Sequence, residues 1–206
     1  MNASEQAQQI RKYVNRRLEK IQNETNEASV RRDLAILRRG AGKAPGECPE
    51  IFGILFDEFP EELLRKNEEQ APTYGEWAAA SALCLFAMHQ QGLDLHEYPM
   101  NQEQCMLGAA VRKLATDEDK LESVRRRFNQ LLAASDIRSC VYFLRTLIQM
   151  LRAEKIPLDY PALAKDLYWF QYPKMRDRIR LSWGESFYHT QRSETPDAEK
   201  KGEGNE

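Results

Sequence analysis

The C-terminal part of the chain carries the strongest constraint on its fold, an apolar stripe at helical spacing. After Lys174, the residues Met175, Ile179, Trp183 and Phe187 recur every four positions. At 3.6 residues per turn they lie on one face of a helix. Because apolar area leaves water only when it packs against other apolar groups, this face must be buried. The sequence therefore predicts a helical fold whose last helix packs against a core.

Helical spacing recurs along the chain, and no segment shows the alternation typical of a β-strand. Residues such as Thr73 are typical helix starts, and Gly40 and Gly92 are typical helix ends. The short connections favour antiparallel helices. We predict an all-α, compact helical bundle without a sheet, with an N-terminal helical half at 1–98 and a C-terminal helical bundle at 99–192. The predicted helices are Ser4–Ile21, Asn26–Arg39, Pro49–Phe56, Glu61–Glu69, Tyr74–Gln91, Glu103–Leu114, Asp119–Ala133, Asp136–Glu154, Tyr160–Phe170 and Lys174–Tyr188.

Charge is distributed unevenly, although the formal net charge is only -2. Basic residues dominate 30–43 and 138–192, whereas acidic residues concentrate in 57–69 and in the tail at 193–206, which we expect to be disordered. A protein polarised in this way can present a basic face to an anionic partner. The basic residues of 30–43 are Arg31, Arg32, Arg38, Arg39 and Lys43, with Asp33 as the one acid among them.

Three further predicted helices place arginines beside their apolar faces. In the helix predicted at 136–154, Arg138, Arg145 and Arg152 recur every seven residues, a step of about 10.5 Å that can follow a phosphate backbone. Any one of these clusters can equally be a solvated surface whose arginines pair with nearby acids. The complete set of predicted nucleic-acid-binding residues is Arg31, Arg32, Arg38, Arg39, Lys43, Arg125, Arg126, Arg127, Arg138, Arg145, Arg152, Arg176, Arg178 and Arg180.

No motif indicates catalysis, a cofactor or a metal. The segment GAGKA at Gly40–Ala44 lacks the earlier glycine, the Ser or Thr and the preceding strand of a P-loop. The three histidines show no HExxH spacing, and there is no GxSxG elbow. A zinc site formed by Cys84, His89, His96 and Cys105 matches no familiar ligand spacing. We expect neither enzymatic activity nor a bound metal.

The chain shows no sign of export or of membrane insertion. The four cysteines are widely spread without a CxxC pair, so we expect reduced thiols in the core. There is no apolar run of about 18 residues, and the N-terminus lacks the apolar centre of a signal peptide. These features predict a cytoplasmic protein.

Aromatic residues cluster at Tyr168, Trp169, Phe170 and Tyr172. Such residues can stack on the bases of a single strand. Because they continue the apolar face of a predicted helix, packing in the core or at a subunit interface is the favoured interpretation. Trp77, early in an apolar helix, is predicted to be core for the same reason.

Four further segments have a distinctive combination of residues: RRDLAILRRGAGKAPGECPEIF (Arg31–Phe52), ALCLFAMHQQG (Ala82–Gly92), DYPALAKDLYWFQ (Asp159–Gln171) and RIRLSWGESFY (Arg178–Tyr188). Together they resemble CasB, the small-subunit family of the type I-E CRISPR surveillance complex, Cascade. The resemblance implies an all-helical, non-catalytic subunit present as two copies. It also implies contacts with the crRNA-containing Cascade, through its large subunit and backbone subunits. Its basic surface would then hold the displaced, single-stranded non-target DNA and stabilise the R-loop.

The resemblance carries a nucleic-acid role onto Arg38 and Arg39, through the Leu-Arg-Arg-Gly match, and onto Arg145. The other predicted binding residues rest on charge and periodicity alone. The negative net charge and the acidic tail are not what we expect of a protein that binds DNA strongly on its own. The alternative function is a helical scaffold whose basic rims bind acidic protein partners and never contact DNA.

Overall fold

Polar side chains at the helix starts determine where most of the helices begin. The structure is a computed structural model that describes residues 1–67 and 69–193, with the backbone alone for 190–193. Asn, Thr or Asp caps the exposed N–H groups of six helices, as when Thr73 accepts from the N–H of Glu76 at 3.1 Å. The helices are α1 (Ala3–Gln22), α2 (Glu27–Arg39), α3 (Phe52–Leu55), α4 (Tyr74–His89), α5 (Leu107–Arg112), α6 (Glu118–Leu132), α7 (Ile137–Ala153), α8 (Tyr160–Phe170) and α9 (Pro173–Ser193).

Helix α4 is the centre of the molecule. Its sequence, YGEWAAASALCLFAMH, is apolar on every side, and nearly all of its residues are buried. It packs against α1, α2, α7 and α8, and the small alanine side chains allow these helices to approach closely. One hydrophobic cluster consequently contains residues from α1 to α9.

A buried polar pair connects the C-terminal end of α4 to the start of α8. The Nδ1 atom of His89 lies 2.9 Å from the hydroxyl of Tyr160, which also donates to the carbonyl of Leu85 at 3.3 Å. Burial lowers the pKa of His89 to about 4, so the imidazole is neutral at physiological pH. The start of α8 is thereby fixed to the end of α4.

The last helix is held by α5 and α8. Ile179, Trp183 and Phe187 are buried and Met175 is half-buried, which confirms the stripe predicted from the sequence. The indole N–H of Trp183 donates to Asp166 at 2.7 Å, and burial raises the pKa of this carboxyl to about 6. The aromatic cluster on α8 is packed as predicted, with Tyr168 and Phe170 in the core.

The predicted all-α bundle without a sheet is confirmed, and the main differences lie in two helix boundaries. The described residues contain no strand, only an isolated bridge between Asn101 and Leu158. The predicted helix Glu61–Glu69 is wrong, because only Glu61–Leu63 forms a 3-10 turn. The helix predicted from Glu103 begins at Leu107, because residues 101–105 instead bond to the segment before α8.

The two predicted halves share the hydrophobic cluster, and a boundary at residue 98 stays a prediction. The predicted disordered tail lies outside the described residues, apart from Ser193 at the end of α9. Within the part of the chain that the structure describes, no helix has the length and apolar character needed to cross a bilayer.

Gly108 permits the close approach of α5 to α9. An ideal Cβ at Gly108 would meet the carbonyl of Trp183 and the side chain of Ser186, and would lie 2.6 Å from the backbone nitrogen of Phe187. Backbone atoms cannot rotate aside, so we expect Gly108→Ala to lower the free energy of unfolding by about 3 kcal/mol. Chemical denaturation measures this change.

The matched control is Gly184→Ala, where a Cβ meets nothing within 4 Å. Alanine is the better helix former, so this variant should be at least as stable as the parent. Equal stability of both variants would contradict the close packing of α5 on α9.

Candidate nucleic-acid interface

The three arginines of α7 lie along the line where α7 packs against α4. The guanidinium of Arg138 lies over the ring of Trp77 at 5.5 Å, and Arg152 donates to the side-chain oxygen of Gln91 at 3.0 Å. Trp77 and Gln91 are fourteen residues apart, as are Arg138 and Arg152, and Gln91 lies just after the end of α4. The two contacts therefore show that α4 and α7 run side by side in the same direction. The row of arginines spans about 21 Å at 1.5 Å per residue.

The loop after α2 crosses this row at its middle. The chain turns at Gly42, whose φ of +90° suits glycine, and an ideal Cβ there would lie 2.8 Å from Nη1 of Arg145. The guanidinium of Arg145 therefore lies directly against the loop. We define the basic ridge as the α7 row together with the cations at the end of α2 and in the loop: Arg38, Arg39, Lys43, Arg138, Arg145 and Arg152.

The cations of the ridge differ in whether they form ion pairs with carboxylates. Among the described residues, no carboxylate lies within ion-pair distance of Arg38, Arg39, Lys43 or Arg145. Arg138 is ion-paired, with a distance of 2.8 Å to Glu47. The ridge therefore keeps unpaired positive charge at its centre and a paired arginine at one end.

Two carboxylates reduce the positive potential of the ridge. The backbone N–H of Ala44 and the guanidinium of Arg138 bond to Glu47 and lower the pKa of this carboxyl. The pKa of Glu50 is lowered by its own N–H and by the thiol of Cys48, with the cations of the ridge nearby. Both groups are ionised at physiological pH. Neither carboxylate belongs to the basic segment 30–43, because both follow the loop in the sequence.

Arg31 and Arg32 lie in the first half of α2, and both form ion pairs with acidic residues. Arg31 pairs with Glu27 at 2.6 Å, and Arg32 pairs with Asp33 at 3.1 Å. These exposed pairs contribute little to stability, and an anion can exchange for the carboxylate. The structure places them apart from the loop at Gly42, so their nucleic-acid role stays a prediction.

The arginines of α6 form a separate group. Arg125 and Arg126 are exposed and make no ion pair among the described residues. Arg127 is half-buried and donates to the carbonyl and hydroxyl of Ser123. Only two of the three side chains are therefore free to contact an outside partner.

Two arginines of α9 stabilise the fold. Arg176 donates to the carbonyl of Phe170 at 3.1 Å, and Arg180 donates to the carbonyl of Ala134 at 2.7 Å. Phe170 is the last residue of α8, and Ala134 lies two residues after the end of α6. Cations at a helix C-terminus bond to carbonyls that have no partner within the helix, and they interact favourably with the negative end of the helix dipole. Arg178 is exposed, and its guanidinium lies 4.0 Å from the sulfur of Met175.

Sequence reasoning missed two aromatic residues beside the ridge. The prediction that Trp77 is core is wrong, because this residue is half-buried beneath Arg138. Tyr142 is not among the predicted site residues, although it is 64% exposed. Its position, four residues after Arg138 and three before Arg145, was the available signal.

The structure gives no support to a zinc or thiol site. Among the residues described, no three His, Cys, Asp or Glu side chains are arranged to hold a metal. Cys84 and His89 are buried in the core, whereas His96 is exposed. All four cysteines are free, and burial raises the pKa of the Cys84 and Cys140 thiols. Cys48, Cys84 and Cys140 pack as small groups in the core, as predicted, whereas Cys105 is only partly buried and not in the core.

The chain resembles proteins of one CRISPR-associated family. A model of the CRISPR-associated protein Cse2 family matches residues 33–188. The crystal structure of CasB from Thermobifida fusca is 33% identical, with a TM-score of 0.72, and the match covers 87% of this chain and 98% of that one. The comparison with curated proteins found no match.

Two more distant structures share the fold. A Cse2-family protein from Thermus thermophilus is 21% identical with a TM-score of 0.62, over 87% of this chain and 97% of that one. A chain of a CRISPR RNA-guided surveillance complex is 17% identical with a TM-score of 0.64, over 91% of this chain and 96% of that one.

The loop that supports Arg145 can be tested by substitution. In Gly42→Ala the new methyl group would be strained at a φ of +90° and would displace the Arg145 side chain. We expect the free energy of unfolding to fall by about 1–2 kcal/mol. Gly46→Ala is the control, because a Cβ there meets nothing within 4 Å. If the denaturation curves of the two variants shift by the same amount, the close contact between Gly42 and Arg145 is contradicted.

Proposed function

Since the chain belongs to the CRISPR-associated Cse2 family, we propose that it is a non-catalytic subunit of a type I-E CRISPR surveillance complex. In this proposal the basic ridge binds the displaced, non-target strand of DNA and stabilises the R-loop. The observation that carries the proposal is the unpaired positive charge of Arg38, Arg39 and Lys43, beside a row of arginines about 21 Å long.

The proposed mechanism is electrostatic. Pairing a guide RNA with one DNA strand exchanges one duplex for another at little net free energy. A modest number of contacts to the displaced strand can therefore decide whether the open state persists. Each phosphate that the ridge neutralises releases condensed counterions, which makes the contribution dependent on salt.

The charge of the whole molecule suggests that this binding depends on assembly. The formal net charge is -2, and Glu47 and Glu50 lie close to the ridge. We therefore propose that the subunit works beside the large subunit, the backbone subunits and a second copy of itself, in the cytoplasm. Tethering in a complex raises the effective concentration of the displaced strand at the ridge.

The buried cysteines and histidine support the absence of catalysis. The thiols of Cys84 and Cys140 are protonated and closed to solvent, so they cannot act as nucleophiles. His89 is buried against Tyr160, where no substrate can reach it. The proposal gives the chain a binding role only.

A protein-binding scaffold remains the second candidate function, and α9 favours it. Leu181 is 62% exposed and Tyr188 is 46% exposed, and both line one shallow apolar surface. Exposed apolar surfaces of this kind commonly contact other proteins. A scaffold would use this face and would not contact the displaced strand.

The central residues of the ridge can be tested by charge reversal. We expect Arg38→Glu with Arg39→Glu to shorten the R-loop lifetime of the assembled complex about tenfold, because two cations would become repulsive to phosphate. The salt dependence of the lifetime should also weaken. Single-molecule or gel measurements of R-loop dissociation at several salt concentrations check both effects.

The matched control is Lys12→Glu with Arg16→Glu, which changes the net charge equally on the exposed side of α1. This control should retain the parental lifetime and assembly. The proposed role of the ridge is wrong if both double variants behave alike, or if the Arg38 and Arg39 variant matches the parent at physiological salt.

A further inference from the structure

Tyr142 is an exposed aromatic side chain that the fold does not use. Its side chain is 64% exposed, the largest value among the big apolar residues described. Among the described residues, its one ring contact is an edge-on approach to Phe143 at 5.4 Å between centroids. Within the described part of the chain its hydroxyl forms no hydrogen bond. Packing therefore does not explain an aromatic residue at this position.

The position of Tyr142 places its ring inside the arginine row of α7. Residues at i, i+4 and i+7 share one face of a helix, so Tyr142 lies on the face that carries Arg138 and Arg145. Gln149, also exposed, and Arg152 continue the same face. The ring of Tyr142 thus lies between Arg145, which has no carboxylate within ion-pair distance among the described residues, and Arg138, whose exposed ion pair with Glu47 an anion can replace.

This alternation matches what a single strand presents to a protein. In an unpaired strand the bases are free to stack on aromatic side chains while basic residues bind the backbone. In a duplex the bases are stacked on one another and paired, so their faces are not available. A ridge with cations alone would distinguish the two only weakly, because both carry phosphates.

We propose that Tyr142 is a stacking platform for an unpaired nucleobase, so that the basic ridge prefers single-stranded DNA to a duplex. The proposal rests on the function proposed above and adds a base-dependent contact to it. Stacking of one base on an aromatic side chain contributes about 1–3 kcal/mol and tolerates any base sequence. The contact would therefore act on the displaced strand of any target.

Other exposed apolar residues do not share this setting. Leu181 and Tyr188 lie on α9, where the neighbouring Arg180 is engaged by Asp177 and by the carbonyl of Ala134. Tyr98 is only partly exposed, and the ammonium of Lys155 lies over its ring at 3.6 Å from the centroid. Tyr142 alone among these residues combines an open ring with flanking cations on its own helix face.

The experiment measures R-loop lifetime in the assembled complex with two forms of the displaced strand. One form carries normal bases, and the other carries abasic sites along the displaced segment with the same phosphates. We expect Tyr142→Ala to shorten the lifetime about fivefold or more with the normal strand, and to leave it unchanged with the abasic strand. Tyr142→Phe keeps the ring and should match the parent on both strands.

The remaining outcomes separate this inference from the proposed function. If Tyr142→Ala affects neither strand, or both equally, the stacking proposal is wrong. If it prevents the complex from assembling, Tyr142 is a protein contact, and the proposal is again wrong. The Arg38→Glu and Arg39→Glu variant serves as the reference, because it should shorten the lifetime with both strands. Failure of that reference variant would overturn the proposed function itself.

Discussion

The burial of α4 on every side is the constraint on which the rest of the structure depends. A helix without a polar face needs neighbours all around it, and α1, α2, α7 and α8 supply them. This arrangement fixes α2 and α7 on adjoining sides of α4. The end of α2 and the arginine row of α7 therefore meet, although about 100 residues separate Arg38 from Arg138 in sequence. The basic ridge is a consequence of packing in the core.

The sequence was sufficient to predict the helices, but it was not sufficient to predict the ion-pair partners of the arginines. Apolar periodicity and polar caps are local signals, which is why α4, α7 and α8 were predicted almost to the residue. The partner of a surface arginine depends on which elements become neighbours, and this is not local information. Arg138 illustrates the point, because its ion pair with Glu47 joins residues that are 91 positions apart.

The arginines of α9 show a second limit of sequence reasoning. Arg176 and Arg180 have the spacing of a phosphate-binding rim, yet both donate to backbone carbonyls and lie over the ring of Phe170. A free carbonyl at a helix end is a strong local acceptor, and it can recruit an arginine before any ligand does. Tyr142 shows the opposite case, where a residue that a sequence survey passes over becomes conspicuous through its exposure.

The central proposal is that the displaced strand of the R-loop lies on the basic ridge. The most direct measurement is photo-crosslinking of a displaced strand labelled along its length within the assembled complex, followed by mapping of the crosslinked peptides. We expect crosslinks in the loop around Gly42 and on α7 near Tyr142. Absence of any crosslink to this subunit, or crosslinks confined to the exposed apolar face of α9, would contradict it.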